Sequence, residues 1–136
     1  MRTYEPLDVS VMRGVTMASV ERGKYGGEDS IMFTADDGRT WRMWYEPDCC
    51  ASCYITDLAG DLADLVGAPL VMAEEVQNEP PPEGHVPDEY GSETWTFYKF
   101  ATTKGYVTVR WHGSSNGYYS ESVTFEAVLP EDDDDA

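Results

Sequence analysis

The sequence is poor in cationic side chains. Nine Lys and Arg stand against 26 Asp and Glu in 136 residues, a formal charge of -17 at neutral pH. Phosphate contacts need cations that displace condensed counterions, so direct nucleic-acid binding is not expected. Anionic membrane surfaces are unsuitable partners for the same electrostatic reason. No apolar run approaches the ~18 residues of a spanning helix. Residues 1–20 lack the charged, apolar, small-residue order of a signal peptide. Cysteine is confined to Cys49, Cys50 and Cys53. An odd, clustered set is no disulfide framework, and neighbouring cysteines bridge only with strain, so reduced thiols in a cytosol are expected. Histidine occurs twice, at His85 and His112. Catalytic signatures are missing as well: there is no GxSxG elbow, P-loop, GxGxxG after a strand, HExxH or EF-hand spacing. Neither an enzyme nor a cofactor is expected.

What is present can build a core. Hydrophobic residues make up 41%, with 4 Trp, 9 Tyr and 4 Phe. The length fits one domain. Acidity is concentrated in two stretches. Residues 131–135 hold five acids and nothing to bury, and 131–136 is read as a disordered tail. Residues 78–93 hold five more acids and four prolines, which indicates an acidic, Pro-rich loop. The expected single domain covers 1–130, and its body is only moderately acidic.

Alternation of apolar residues marks strands over 15–22, 30–35 and 40–46. Ile31, Phe33 and Ala35 share one face, as do Trp41, Met43 and Tyr45, with Arg42, Trp44 and Glu46 opposite. Asp36-Asp37-Gly38 between two such runs is a hairpin signal, because Asp and Gly tolerate positive φ. The period then changes. Leu58, Leu62 and Leu65 recur at i, i+4 and i+7 behind Asp57, which predicts a short capped helix ending before Gly67 and Pro69. Residues 70–76 read as a strand leaving it. Residues 94–103 are apolar on both faces, which suits a central strand. Lys104-Gly105 makes a turn into 106–112, where Val107, Val109 and Trp111 face inward. Asn116-Gly117 is a favoured two-residue hairpin turn. In 118–129, Tyr119, Val123, Phe125, Ala127 and Leu129 share a face, with Tyr118, Ser120, Ser122, Thr124 and Glu126 opposite. The expected fold is α+β: mostly antiparallel sheet, about seven strands curled or packed on themselves, with one short helix.

Two clusters could carry chemistry. Cys50 and Cys53 form a CxxC pair able to give zinc two thiolates, with Cys49 and His112 as the other weak candidates. A complete ligand set is missing, because there is no second CxxC and His85 falls in the loop. Buried, inert thiols and a strand-end histidine are the plainer readings. The aromatics Trp44, Trp95 and Tyr98 fit core use by default. Tyr90 in the loop and Tyr118 at the hairpin suit exposure. Tyr90, Tyr98, Tyr118 and Trp44 are the candidate partner-binding residues, since Tyr and Trp anchor protein interfaces. Acids around them would suit a basic partner surface.

Residues 46–66, EPDCCASCYITDLAGDLADLV, and 94–123, TWTFYKFATTKGYVTVRWHGSSNGYYSESV, resemble a family of small uncharacterised proteins, a domain of unknown function, encoded mainly by bacteriophages. The shared pattern is an acidic Asp-Cys-Cys, a Gly-Asp-Leu stretch, Thr-Trp-Thr-Phe-Tyr and a Ser-Asn-Gly-Tyr-Tyr-Ser turn. Cys53 departs from it, standing where an aliphatic residue is expected. The resemblance implies a phage protein in the cytoplasm of an infected bacterium and assigns no functional residues. The resulting expectation is a non-enzymatic, acidic protein-binding module that modulates or inhibits a host protein, with nucleic-acid mimicry as one form of it. The alternatives are a small metal- or thiol-dependent protein or enzyme centred on Cys49, Cys50 and Cys53, or a minor virion structural protein.

Overall fold

Strand pairing is clearest at the turn that the sequence marks. In the computed structural model, which describes residues 4–47, 51–77, 92–115 and 122–128, Gly38 adopts φ +95. The backbone N–H and Nε of Arg39 both donate to the Asp37 carboxylate, at 3.1 and 2.8 Å. This turn joins β3 (Glu28–Ala35) to β4 (Thr40–Trp44), and β2 (Met17–Tyr25) pairs with β3 on the other side. A short β1 (Tyr4–Pro6) precedes them. The last strand, β9 (Thr124–Val128), inserts between β1 and β4, giving an antiparallel five-stranded order β1-β9-β4-β3-β2.

A second antiparallel sheet contains β5 (Ser52–Ala59), β6 (Met72–Gln77), β7 (Ser92–Thr102) and β8 (Gly105–Ser115), in the order β5-β8-β7-β6. The doubly apolar β7 is central, as expected, paired with β8 and β6. Thr102 pairs with Gly105, so Thr103 and Lys104 form the turn, one residue earlier than predicted.

The architecture is therefore mostly antiparallel β, and the expected α+β class with seven strands is corrected. Nine strands are present and no α-helix occurs among the described residues. The predicted helix behind Asp57 is divided. Asp57 and Leu58 belong to β5, while Leu62–Leu65 form one 3-10 turn capped by Asp61, whose Oδ1 accepts from the Ala63 N–H at 2.9 Å. Gly60 separates the two pieces at φ +100, and a Cβ there would lie 2.4 Å from the Tyr106 carbonyl oxygen. Only glycine fits that reversal. The leucine spacing that imitates a helical stripe comes from a strand residue and a tight turn sharing one interior.

The two sheets pack through side chains of alternating strand positions. Phe33 of β3 meets Phe100 of β7 with ring centroids 5.3 Å apart, and Phe125 of β9 lies 6.3 Å from Phe33. Ile31, Met43, Val107, Val109 and Trp111 fill the same interior. The sheets are also joined through backbone. Gly14 N–H donates to Leu70 O, Leu70 N–H to Val15 O, and Gly67 N–H to Met17 O. At β5, Asp29 Oδ2 accepts from the Ile55 N–H at 2.9 Å.

Glu126 departs from its expected polar face. It is fully buried, with Arg42 as its cross-strand partner. Arg42 Nε donates to Glu126 Oε1 at 3.0 Å, Arg42 Nη2 bonds the same oxygen, and Trp44 Nε1 donates to it at 3.0 Å. Tyr25 closes the cluster, edge-on to Trp44 at 4.6 Å and with the Arg42 guanidinium 3.7 Å from its ring centroid. The first sheet thus carries a small second interior on the side away from the main core.

The Asn116-Gly117 turn with Tyr118 and Tyr119, the tail 131–136, and residues 78–91 of the proline-rich loop lie outside the described residues.

Candidate functional site

The sheet β5-β8-β7-β6 has one side turned away from the core, and strand register fixes what stands on it. Paired residues of neighbouring strands share a face. Tyr54, His112 and Trp95 form one row across β5, β8 and β7. Asp57, Arg110, Phe97 and Val76 form the next, extending onto β6. Ala59, Thr108, Lys99 and Glu74 follow, and Tyr106 stands beyond them opposite Ala101.

The middle of this face is interlocked. The His112 ring lies 4.4 Å from that of Trp95 and 5.6 Å from that of Tyr54, and His112 Nε2 is 3.2 Å from Glu93 Oε1. The Arg110 guanidinium stands 5.6 Å from the Trp95 ring centroid, and its Nε donates to Thr56 Oγ1 at 2.9 Å. The margins are open: Tyr54 is 47% exposed and Tyr106 49% exposed. Asp57, in the row next to Tyr54, and Glu74, on β6, are exposed on the same side. Two large exposed aromatic surfaces and two exposed carboxylates on one side make this the candidate interaction face.

Of the four residues singled out from sequence for partner binding, the structure places two inside. Trp44 is 5% exposed and serves the Glu126 cluster. Tyr98 is 1% exposed on the core side of β7, where its hydroxyl donates to Glu75 Oε1 at 2.7 Å. Burial, and then the Glu75 charge, hold the Tyr98 phenol well above its ordinary range. Neither ring can meet a partner. Tyr90 and Tyr118 lie outside the described residues.

The metal candidates are also separated. Cys53 pairs with Gly113 and points into the core, while His112 pairs with Tyr54 and points away from it. Adjacent register positions on β8 project to opposite sides of the sheet, so thiol and imidazole cannot converge on one ion. Cys49 and Cys50 lie outside the described residues, and no group of three His, Cys, Asp or Glu able to hold a metal occurs among those described.

Sequence reasoning missed Tyr54, Asp57 and Tyr106. The alternation Cys53, Tyr54, Ile55, with the outer two buried, was the available signal. The leucine spacing that follows masked it.

A family model covers residues 10–125, which takes in the whole β5-β8-β7-β6 sheet and strands β2, β3 and β4 of the other. The chain belongs to the family described as a domain of unknown function, DUF7448. A family of unknown function is the coarser part of what the Asp-Cys-Cys and Ser-Asn-Gly-Tyr-Tyr-Ser motifs suggest, and membership brings no activity or site residues. No curated protein and no solved structure matches the chain. No helix among the described residues is long and apolar enough to cross a membrane.

Proposed function

We propose that this chain is a non-enzymatic, acidic protein-binding module that docks through the outer face of the β5-β8-β7-β6 sheet. The observation that carries the reading is the pair Tyr54 and Tyr106, two half-exposed rings on one sheet face that also exposes the Asp57 and Glu74 carboxylates. Tyrosine supplies contact area at low entropic cost, which is why it is enriched at binding hot spots. The net charge of -17 favours a partner with a basic surface and steers its approach. The phage-like motifs make the partner a host protein and the action modulation or inhibition. Mimicry of nucleic acid is the weaker form of this idea, since much of the acid content falls in residues 78–93 and 131–135.

Affinity capture from bacterial lysate at low and high salt tests the proposal. A saturable partner whose capture is weakened by Tyr54→Ala or Tyr106→Ala supports it. No saturable partner at any salt overturns it.

A further inference from the structure

Strand β5 contains a bulge. Its register with β8 runs evenly from Ser52 to Ile55 and resumes at Asp57, so Thr56 is the extra residue. In a regular strand, residues three apart point to opposite faces. The bulge cancels that rule: Tyr54 pairs with His112 and Asp57 with Arg110, and His112 and Arg110 share the outer face. Bulges commonly re-aim a side chain in this way near functional sites. Here the result is an exposed tyrosine ring and an exposed carboxylate on the same side of one edge strand.

Asp57 should be neutralised by Arg110, its direct cross-strand partner, because opposite charges so placed attract. Instead Arg110 Nε is held by Thr56 Oγ1 at 2.9 Å, the Thr56 hydroxyl donates to Arg110 O at 3.2 Å, and the guanidinium lies over Trp95. No hydrogen bond or ion pair holds the Asp57 carboxylate among the described residues. The bulged threonine therefore does two things: it turns Asp57 outward and occupies the cation that would have satisfied it.

We propose that Tyr54 and Asp57 together receive an arginine side chain of the protein partner. This deepens the protein-binding reading and rests on it. A guanidinium is planar and weakly hydrated, so it stacks on an aromatic ring while its N–H groups bond a carboxylate; an ammonium does the two less well. The ring of Tyr54 is oriented by its edge contact with His112, so the receiving surface is preformed. A basic partner surface is what the charge of the chain selects, and Tyr54 and Asp57 give that surface a defined point of entry.

The test is an NMR titration of the full chain with the blocked tripeptide Gly-Arg-Gly, its lysine counterpart and its citrulline counterpart. Shifts confined to β5 around Tyr54 and Asp57, strongest for arginine and lost with citrulline, support the proposal. Tyr54→Ala and Asp57→Asn should each weaken the arginine peptide roughly two- to five-fold. Tyr54→Phe, which keeps the ring, and Asp36→Asn, which removes an exposed acid from the other sheet, should leave it unchanged. Equal weakening by Asp36→Asn would reduce the effect to net charge and overturn the proposal, as would equal binding of citrulline. Lysate capture separates the two readings. A partner retained equally by wild type, Tyr54→Ala and Asp57→Asn sinks the arginine site and leaves the binding module standing.

Discussion

Arg42 and Glu126 are direct partners across the β4–β9 ladder, and both are almost fully shielded from water. The carboxylate takes Arg42 and Trp44 on Oε1, while Oε2 is buried with no hydrogen-bond partner among the described residues. Removing one member of such a pair leaves an uncompensated buried charge, which typically costs about 3–5 kcal/mol. Glu126→Ala should fall in that range in denaturant unfolding. Replacing both, Arg42→Met with Glu126→Leu, should recover most of the loss, because an apolar pair of similar volume avoids the desolvation cost. A double variant as unstable as the single would show that the ion pair itself is required.

Asp29 links stability to pH. Burial alone would raise its carboxyl, but hydrogen bonds from the Lys24 side chain and the Ile55 N–H outweigh burial and hold it below its usual value. A depressed folded-state value adds stability that is complete above the unfolded-state value, near 3.9, and is lost as pH falls through the folded-state value. Asp29→Asn should therefore lower stability at pH 7 by roughly 1–2 kcal/mol and flatten its decline below about pH 4. Parallel pH curves for the two proteins would remove Asp29 from that account.

Aromatic truncations should divide by face. Tyr98→Ala removes a buried ring and its bond to Glu75, at a cost of about 3–5 kcal/mol. Tyr54→Ala, on the open face, should change stability by no more than about 0.5 kcal/mol. Thermal melts of the two variants give the ranking directly, and a large drop for Tyr54→Ala would mean that this ring is structural.

Glycines at positive φ should also separate. Alanine at Gly60 meets the Tyr106 carbonyl at 2.4 Å, whereas alanine at Gly38 meets nothing within 4 Å. Gly38→Ala should cost only the left-handed strain of about 1–2 kcal/mol. Gly60→Ala should cost clearly more, since backbone has to move. Equal midpoints in chemical denaturation would contradict the close approach of β5 and β8 at this turn.

Much of the fold is readable from alternation. The runs around Ile31, Trp41, Val107 and Phe125 place the inward residues correctly, and Asp37-Gly38 marks its hairpin. The failures have physical causes. Leu58, Leu62 and Leu65 keep a helical interval across a strand, a glycine reversal and a 3-10 turn, so local period misled where tertiary packing decided. Arg42, Trp44 and Glu126 alternate correctly against the core, yet alternation identifies only the opposite side of a strand. Whether that side is wet depends on Tyr25 and on pairing between residues 84 positions apart. Of the site, the tyrosine preference was legible and its position was not: the Leu58, Leu62 and Leu65 spacing masked the alternation that marks Tyr54, and the bulge at Thr56 that brings Asp57 to the same face leaves no mark in the sequence pattern.

The insertion of β9 between β1 and β4 also governs when this molecule can finish folding during synthesis. The meander of β2, β3 and β4 leaves the ribosome early and can pair locally. Its β4 edge stays open until residues 124–128 emerge, and so do the Arg42 cation and the pairing groups of β1. Until β9 is available the nascent chain therefore carries an unpaired strand edge bearing Trp41, Met43 and Trp44, the kind of surface that invites wrong pairing. Closure depends on one five-residue strand, so a chain cut before Phe125 would keep an aggregation-prone half-sheet, whereas a chain that retains residues 124–128 can seal it.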